Sequence, residues 1–418
     1  MPQHRSLGAR LSAMMFLEFF IWGAWYVTVG NYMTRIGMTD AIYWAYTVNP
    51  IAAIVSPFFL GMVADRFFAT EKVLGVMHIL GGLALAAAPI FHASPVLFVV
   101  MLLVHSLFFA ATMGLANSMA FHNITDQEKQ FPLIRVFGTI GWIVAGVLVS
   151  GVLHADETPI PLYIGGAAAV LLGLYSFTLP HTPPPLAGRK TTARQVLGLD
   201  ALSQLSSRPF WVFITSSLLV CIPLSAYYAY APVYVNAAGI ASPAFKMSFG
   251  QMSETLFMFA MPLLFVRLGV KRMLLLGMLS WVARYALFAL AAPARVEWMI
   301  LLGIALHGMC YDFFFVSGQI YVDKKATPAI RGQAQGFLVF VTYGVGMLVG
   351  AQVAGWVFNR VVGGGAQQAL GAWQTFWWIP AGFAAAVMLL FGLFFDDRVR
   401  VAAPAPAEAP PVPAGPGV

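Results

Sequence analysis

Charge is what this sequence most lacks: Asp, Glu, Lys and Arg make up 9% of its 418 residues, against roughly a quarter in a soluble domain. With 60% hydrophobic residues and a mean hydropathy of +0.80, the chain reads as a polytopic membrane protein. Cysteine is nearly absent too. Cys221 and Cys310 both lie inside apolar runs, which indicates neither a disulfide framework nor a zinc site. No phosphate-cradling glycine loop, metal-ligand spacing or catalytic triad pattern occurs, so ATP-driven pumping and hydrolysis have no support. The chain is therefore not read as an enzyme, and no cofactor or metal is expected. The excess of 7 positive charges is scattered between apolar runs rather than gathered in a patch, so nucleic acid is not an expected partner.

What is present is a series of apolar stretches. At about 20 apolar residues per crossing, twelve segments are predicted, at 11–33, 42–64, 72–92, 95–120, 128–153, 160–180, 209–235, 246–267, 271–292, 296–321, 330–358 and 372–395. The run from Leu11 to Met33 follows Arg5 and Arg10 as in a signal peptide, but it is too long and lacks a small-residue cleavage site. It is read as a retained first helix. The N-terminus, the loops after even-numbered segments and the tail hold 17 of the 23 Lys and Arg; four lie on the opposite side, and Arg135 and Arg284 fall inside segments. By the positive-inside rule both termini face the cytoplasm.

The longest internal loop, 181–208, divides the chain into a six-helix half at 1–180 and a second at 209–395. Val196, Leu199, Leu202 and Leu205 within that loop are compatible with a short amphipathic helix on the inner membrane surface or with a plain linker. The tail, 396–418, is rich in Pro and Ala and is expected to be disordered. Pro132-Leu-Ile-Arg135 and Pro328-Ala-Ile-Arg331 open the fifth and eleventh segments 196 residues apart, a weak internal repeat. Two parallel six-helix halves around a midplane site is the arrangement of the major facilitator superfamily. The loop Gly61-Met-Val-Ala-Asp65-Arg66 resembles that superfamily's G-x-x-x-D-R signature, whose charges pair with helix ends in one conformation and release in the other.

Few polar residues fall inside the apolar segments, and a charge there costs at least ~3 kcal/mol unless paired, which makes each a functional candidate. Gln251 and Glu254 share one helix face at i, i+3, where they could grip a polar solute. Glu18 and Asp312 are the other clearly intramembrane acids, and buried carboxyls that take up and release protons are what a proton-coupled carrier needs. Arg135, about 13 Å into the fifth helix, shares a stripe with Thr139 and Trp142. A cation, a hydroxyl and an indole on one stripe can bind the edges and face of a flat polar ring. His307 and Tyr311 share a face beside Asp312, while His78 and His105 are assigned to packing.

The stretches FLEFFIWGAWYVTVG from Phe16, IRVFGTIGWI from Ile134, LGLDA from Leu197, QMSETLF from Gln251, YDFFFVSG from Tyr311 and IRGQAQGF from Ile330 resemble the nucleoside:proton symporters of that superfamily. The resemblance implies an all-α fold of twelve transmembrane helices. It also implies proton-coupled import of nucleosides across a bacterial inner membrane by alternating access, with a small-molecule substrate, protons and lipid as partners. A monomer is expected. It places Arg135, Thr139, Gln251 and Glu254 in the nucleoside site and makes Glu254 and Asp312 the proton-coupling groups; Glu18 is a further proton-coupling candidate as an intramembrane acid. The family's pattern leads one to expect Gln-x-x-Asn where Ser225 and Tyr228 stand, Tyr at His307, Phe at Trp142 and Tyr311, and Gln at Glu18. These departures keep Ser225, Tyr228, His307 and Tyr311 in the expected site but leave the solute open. A modified nucleoside, a nucleobase or a sugar is an alternative cargo, and a non-transporting receptor on the same fold an alternative role.

Overall fold

A computed structural model describes residues 2–59, 68–184, 199, 202–327, 330–363 and 370–396. Among them every regular element is helical. In chain order the helices are α1 (Leu7–Arg35), α2 (Ile42–Phe59), α3 (Thr70–Phe91), α4 (Pro95–Asn123), α5 (Lys129–Val152), α6 (Ile160–Ser176) and α7 (Arg208–Ala237). Then comes one run, Pro243–Ala291, followed by α10 (Glu297–Lys325), α11 (Arg331–Val361) and α12 (Leu370–Phe394). The run of 49 residues would be about 74 Å long as one helix, more than twice the ~30 Å hydrocarbon core. It breaks at Gly269, whose φ of 70° and ψ of 175° suit a residue without Cβ, into α8 (243–268) and α9 (270–291). The twelve expected crossings are thus accounted for, although the turn between the eighth and ninth is a single residue.

Sequence punctuation sets several helix starts. Ser94 and Ser207, each followed within two residues by a proline, accept from the backbone N–H of Leu97 and Phe210 to open α4 and α7. Asp126 does the same for the fifth helix through Lys129 N–H at 3.1 Å. Packing relies on missing side chains. A Cβ at Gly141 of α5 would lie 2.2 Å from the Phe16 carbonyl oxygen of α1, and one at Gly23 of α1 would lie 3.0 Å from the Trp142 backbone. These glycines let α1 and α5 approach backbone to backbone, the usual route to tight helix contact where lipid supplies no hydrophobic drive.

Hydrogen bonds join the first six helices to the last six at the end of the bundle opposite that where α1 begins. Asn31 donates to Pro232 O (3.3 Å), Gln352 to Thr47 Oγ1 (2.8 Å), Asn359 to Asp40 O (2.9 Å) and Asn236 to Glu157 Oε1 (2.6 Å). The backbone N–H of Ala244, in the first turn of α8, donates to Asp156 Oδ1 at 2.9 Å, and Ser150 donates to Oδ2 at 2.7 Å. We call this the stitched end. Buried aromatic residues fill the last six helices, with Trp281, Trp373 and Trp377 wholly enclosed.

Three sequence expectations fall largely outside the described residues. Gly61, Asp65 and Arg66 of the G-x-x-x-D-R loop are among them, as are most of the 181–208 loop, where Leu202–Leu205 forms one helical turn, and all but Asp396 of the tail.

Candidate substrate and proton site

Site residues gather where α1, α5, α7, α8, α10 and α11 face one another. Arg135, Thr139 and Trp142 lie half-buried along α5. The Arg135 guanidinium sits 4.1 Å above the Phe19 ring of α1, a cation–π contact that fixes its height while its donors stay available. Trp142 meets Trp22 of α1 edge to face at 5.3 Å. Across the gap Tyr26 of α1 reaches Tyr228 of α7, ring centres 5.9 Å apart. This aromatic wall can stack a flat ring.

The facing side carries the acids. Glu254 on α8 keeps 24% of its side chain exposed, with Oε2 3.9 Å from His307 Nε2 of α10. Its field acts on Arg135 of α5 and on Tyr311 of α10. Gln251, one turn earlier, is half-buried with Oε1 unpartnered. Asp312 is fully buried, neither carboxylate oxygen has a partner, and it lies within Glu254's field. Glu254 is held at this height by another close approach: a Cβ on Gly308 would fall 2.5 Å from Glu254 N, and Gly308 N–H donates to Ser253 Oγ at 3.0 Å. Asp312 opens a π-helical turn, Asp312–Val316, an irregularity that recurs at functional positions.

His307 stacks on Tyr227 at 5.3 Å, and Tyr227 in turn carries the buried Arg284 guanidinium 4.0 Å above its ring. Arg284 Nε donates to Gly303 O at 3.1 Å. This column locks the imidazole against Glu254.

Two expected members stand apart. Ser225 is 1% exposed and turns toward α11, its hydroxyl 2.9 Å from Cys221 O and 3.2 Å from Met347 O. Glu18 lies inside the first six helices, Oε2 2.8 Å from His78 Nε2 and Oε1 accepting from Thr112 at 2.6 Å. His78 is therefore not mere packing: it is the partner that makes a fully buried carboxylate tolerable. His105 does pack, edge-on against Trp25, with Nδ1 2.9 Å from Gly81 O. Tyr26 and Tyr343 were missed because a phenol in an apolar helix carries no periodic signal of its own.

The helix order, with polar residues of the first and last six helices facing one another, is that of a carrier of the major facilitator superfamily. A bacterial homologue of the human lysosomal transporter Spinster shares the fold, with a TM-score of 0.71 at 13% identity. The crystal structure of nucleoside transporter NupG superposes with a TM-score of 0.83 at 29% identity, covering 94% of this chain and all of that one. The chain belongs to the nucleoside H+ symporter family, whose model matches residues 5–400. It is 39% identical over 405 residues to the putative nucleoside transporter YegT of Escherichia coli (strain K12), spanning 93% of this chain and 94% of that one. It is 31% identical to the xanthosine permease of the same organism, over 94% and 97% of the two chains.

Proposed function

We propose that this protein imports nucleosides together with protons across a bacterial inner membrane by alternating access, as a monomer. The units 1–180 and 209–395 rock about the cavity, joined by the cytoplasmic loop 181–208, and both termini face the cytoplasm. On that orientation the stitched end is the outer one and the arrangement is inward-facing. Arg135, Thr139 and Gln251 hold the solute between Trp142 and Tyr228, with His307 and Tyr311 at its edge. Glu254 and Asp312 carry the proton. Glu18 takes part if its bond to His78 opens, because both its oxygens are engaged.

The observation that carries this reading is Glu254: a largely buried acid, 24% exposed, between His307 on its own side and the field of Arg135 opposite. A group in that position is sensed by proton, substrate and conformation alike. One proton moving with a neutral solute gains ~2.3 kcal/mol per 100 mV, enough for roughly fifty-fold accumulation. Proteoliposomes under an imposed pH gradient should accumulate radiolabelled uridine, and a protonophore should abolish it. Glu254→Gln should retain exchange of labelled for unlabelled uridine but lose uphill uptake; accumulation by that variant would refute the proton role.

A further inference from the structure

Helices α10 and α11 leave regular α geometry at facing positions. The π-helical turn Asp312–Val316 follows directly on Tyr311, and a second, Phe340–Gly346, contains Tyr343. Such turns insert a residue and re-aim the side chains beside them. Here they bring the Tyr311 and Tyr343 hydroxyls into hydrogen bond with each other. Both rings are half-buried. Tyr343 rests on Phe315 at 6.0 Å, and Tyr311 on His307 at 5.8 Å. Tyr311 lies against His307, whose Nε2 is 3.9 Å from Glu254, so the pair sits on the α10–α11 side of the site.

We propose that Tyr343 is a recognition residue of the nucleoside site, and that the Tyr311–Tyr343 pair selects bases bearing ring carbonyls over bases bearing exocyclic amino groups. The inference rests on the nucleoside reading above. In a phenol–phenol hydrogen bond one O–H is donated to the neighbour and the other remains to donate, so the pair offers one oriented donor beside phenol oxygens that accept more weakly than a carbonyl does. Arg135 offers donors only. Glu254 becomes a donor once it carries the coupled proton, and the Ser225 hydroxyl is spent on α7 and α11 carbonyls. In the proton-loaded state the wall is therefore richer in donors than in acceptors, its unpartnered acceptors being Gln251 Oε1 and the buried Asp312 carboxyl. Carbonyl oxygens of uracil, hypoxanthine or xanthine find partners there. The amino groups of cytosine and adenine meet donors and lose hydrogen bonds that they make in water, and unmatched polar groups are what hydrogen-bonding sites reject most strongly.

The test is exchange in proteoliposomes without a proton gradient, using matched pairs that swap one carbonyl for one amino group: uridine against cytidine and inosine against adenosine. Half-saturation should be at least tenfold lower for the carbonyl member of each pair. Purine riboside, which lacks the 6-oxo group, should be at least tenfold weaker than inosine, a comparison that needs no variant. Tyr343→Phe leaves the Tyr311 hydroxyl free to turn and to accept as readily as it donates, and should reduce the uridine to cytidine preference to threefold or less at unchanged melting temperature. Equal half-saturation within the wild-type pairs, or an undiminished preference in Tyr343→Phe, would overturn the inference while leaving nucleoside exchange intact. Failure to exchange any nucleoside would overturn the functional reading, and this inference with it.

Discussion

Asp156 offers the sharpest test of how the stitched end works. It lies in the turn between α5 and α6, is 6% exposed, and holds the first turn of α8 through Ala244 N–H. Two neighbours are in the left-handed region without being glycine, His154 at φ 49° and Ser242 at φ 55°, and their side chains meet at 3.4 Å. Asp156→Ala leaves the Ala244 N–H and the Ser150 hydroxyl without their acceptor. An unsatisfied buried donor costs about 1–3 kcal/mol, so a loss of ~2 kcal/mol would shift the closed-to-open ratio at this end roughly thirty-fold. Burial pushes the Asp156 carboxyl above its usual range, more than the donors from Ser150 and Ala244 N–H pull it down. The sign follows: a raised value in the closed state means the protonated acid is the better tolerated form. Its contribution to closure is complete below the ordinary carboxylate value and is lost as pH rises through the raised one. With the proposed orientation, acid outside favours closing the outer end, the direction import requires. Spin labels at the exposed loop positions Ala93→Cys and Ala294→Cys, with Cys221 and Cys310 replaced by Ala, report the separation. Asp156→Ala should populate a longer distance, and Asp156→Asn, which keeps an acceptor but cannot titrate, should hold the short distance at every pH. An Asp156→Ala distribution matching the wild type across pH would refute the reasoning.

Two further substitutions probe the packing behind the site. Gly308→Ala must push α8 and α10 apart, because the new methyl meets backbone atoms at 2.5 Å; overpacking of this kind costs about 1–3 kcal/mol. Thermal melting should fall and uridine uptake should drop at least tenfold, whereas Ser253→Ala, losing only a hydrogen bond, should keep coupling. His78→Ala strands Glu18 as a buried charge and should destabilise by ~3–5 kcal/mol, while Glu18→Leu combined with His78→Phe should recover most of the melting temperature. A single variant that melts like the wild type would show that the pair does not hold α1 to α3.

The crossings were legible because the bilayer imposes a long, simple signal. Expected segments 95–120 and 209–235 sit inside α4 (Pro95–Asn123) and α7 (Arg208–Ala237), differing chiefly where capping serines and the last turns extend the helix. The site was legible as far as single helices carry it: Gln251 with Glu254, and Arg135 with Thr139 and Trp142, follow from helical spacing and the cost of buried charge. Rotation of one helix against another is not written in a single segment. Ser225 therefore faced the cavity by analogy but packs on Met347 of α11. The Glu18–His78 bond joins residues 60 apart in sequence, and neither flank announces the other. Asp156 and Glu157 fall between predicted segments and carry no signal of their own, because their partners, Ala244 and Asn236, belong to the other half of the chain.

The two ends of the cavity can be set against each other in energy. Unit charges 4 Å apart at an effective dielectric of 20 attract by about 4 kcal/mol, and by less as they separate. While Glu254 is ionised, its pull on Arg135 draws α8 toward α5 on the inner side. That pull is of the same order as the ~2 kcal/mol lost when the Asp156 contact is cut. Neither end then dominates, and titrating one carboxyl is enough to tip the balance. On the proposed mechanism, protonation of Glu254 removes the inner attraction and the stitching at the other end decides, which leaves the cavity open inward with Arg135 free to hold the solute. On the same proposal, loss of the proton and release of the solute return Arg135 to Glu254 and close the inner end. On this account Arg135→Lys should keep the conformational response to pH while weakening solute binding, because a lysine preserves the charge but not the guanidinium's donor geometry. Loss of the pH response in Arg135→Lys would place the coupling elsewhere.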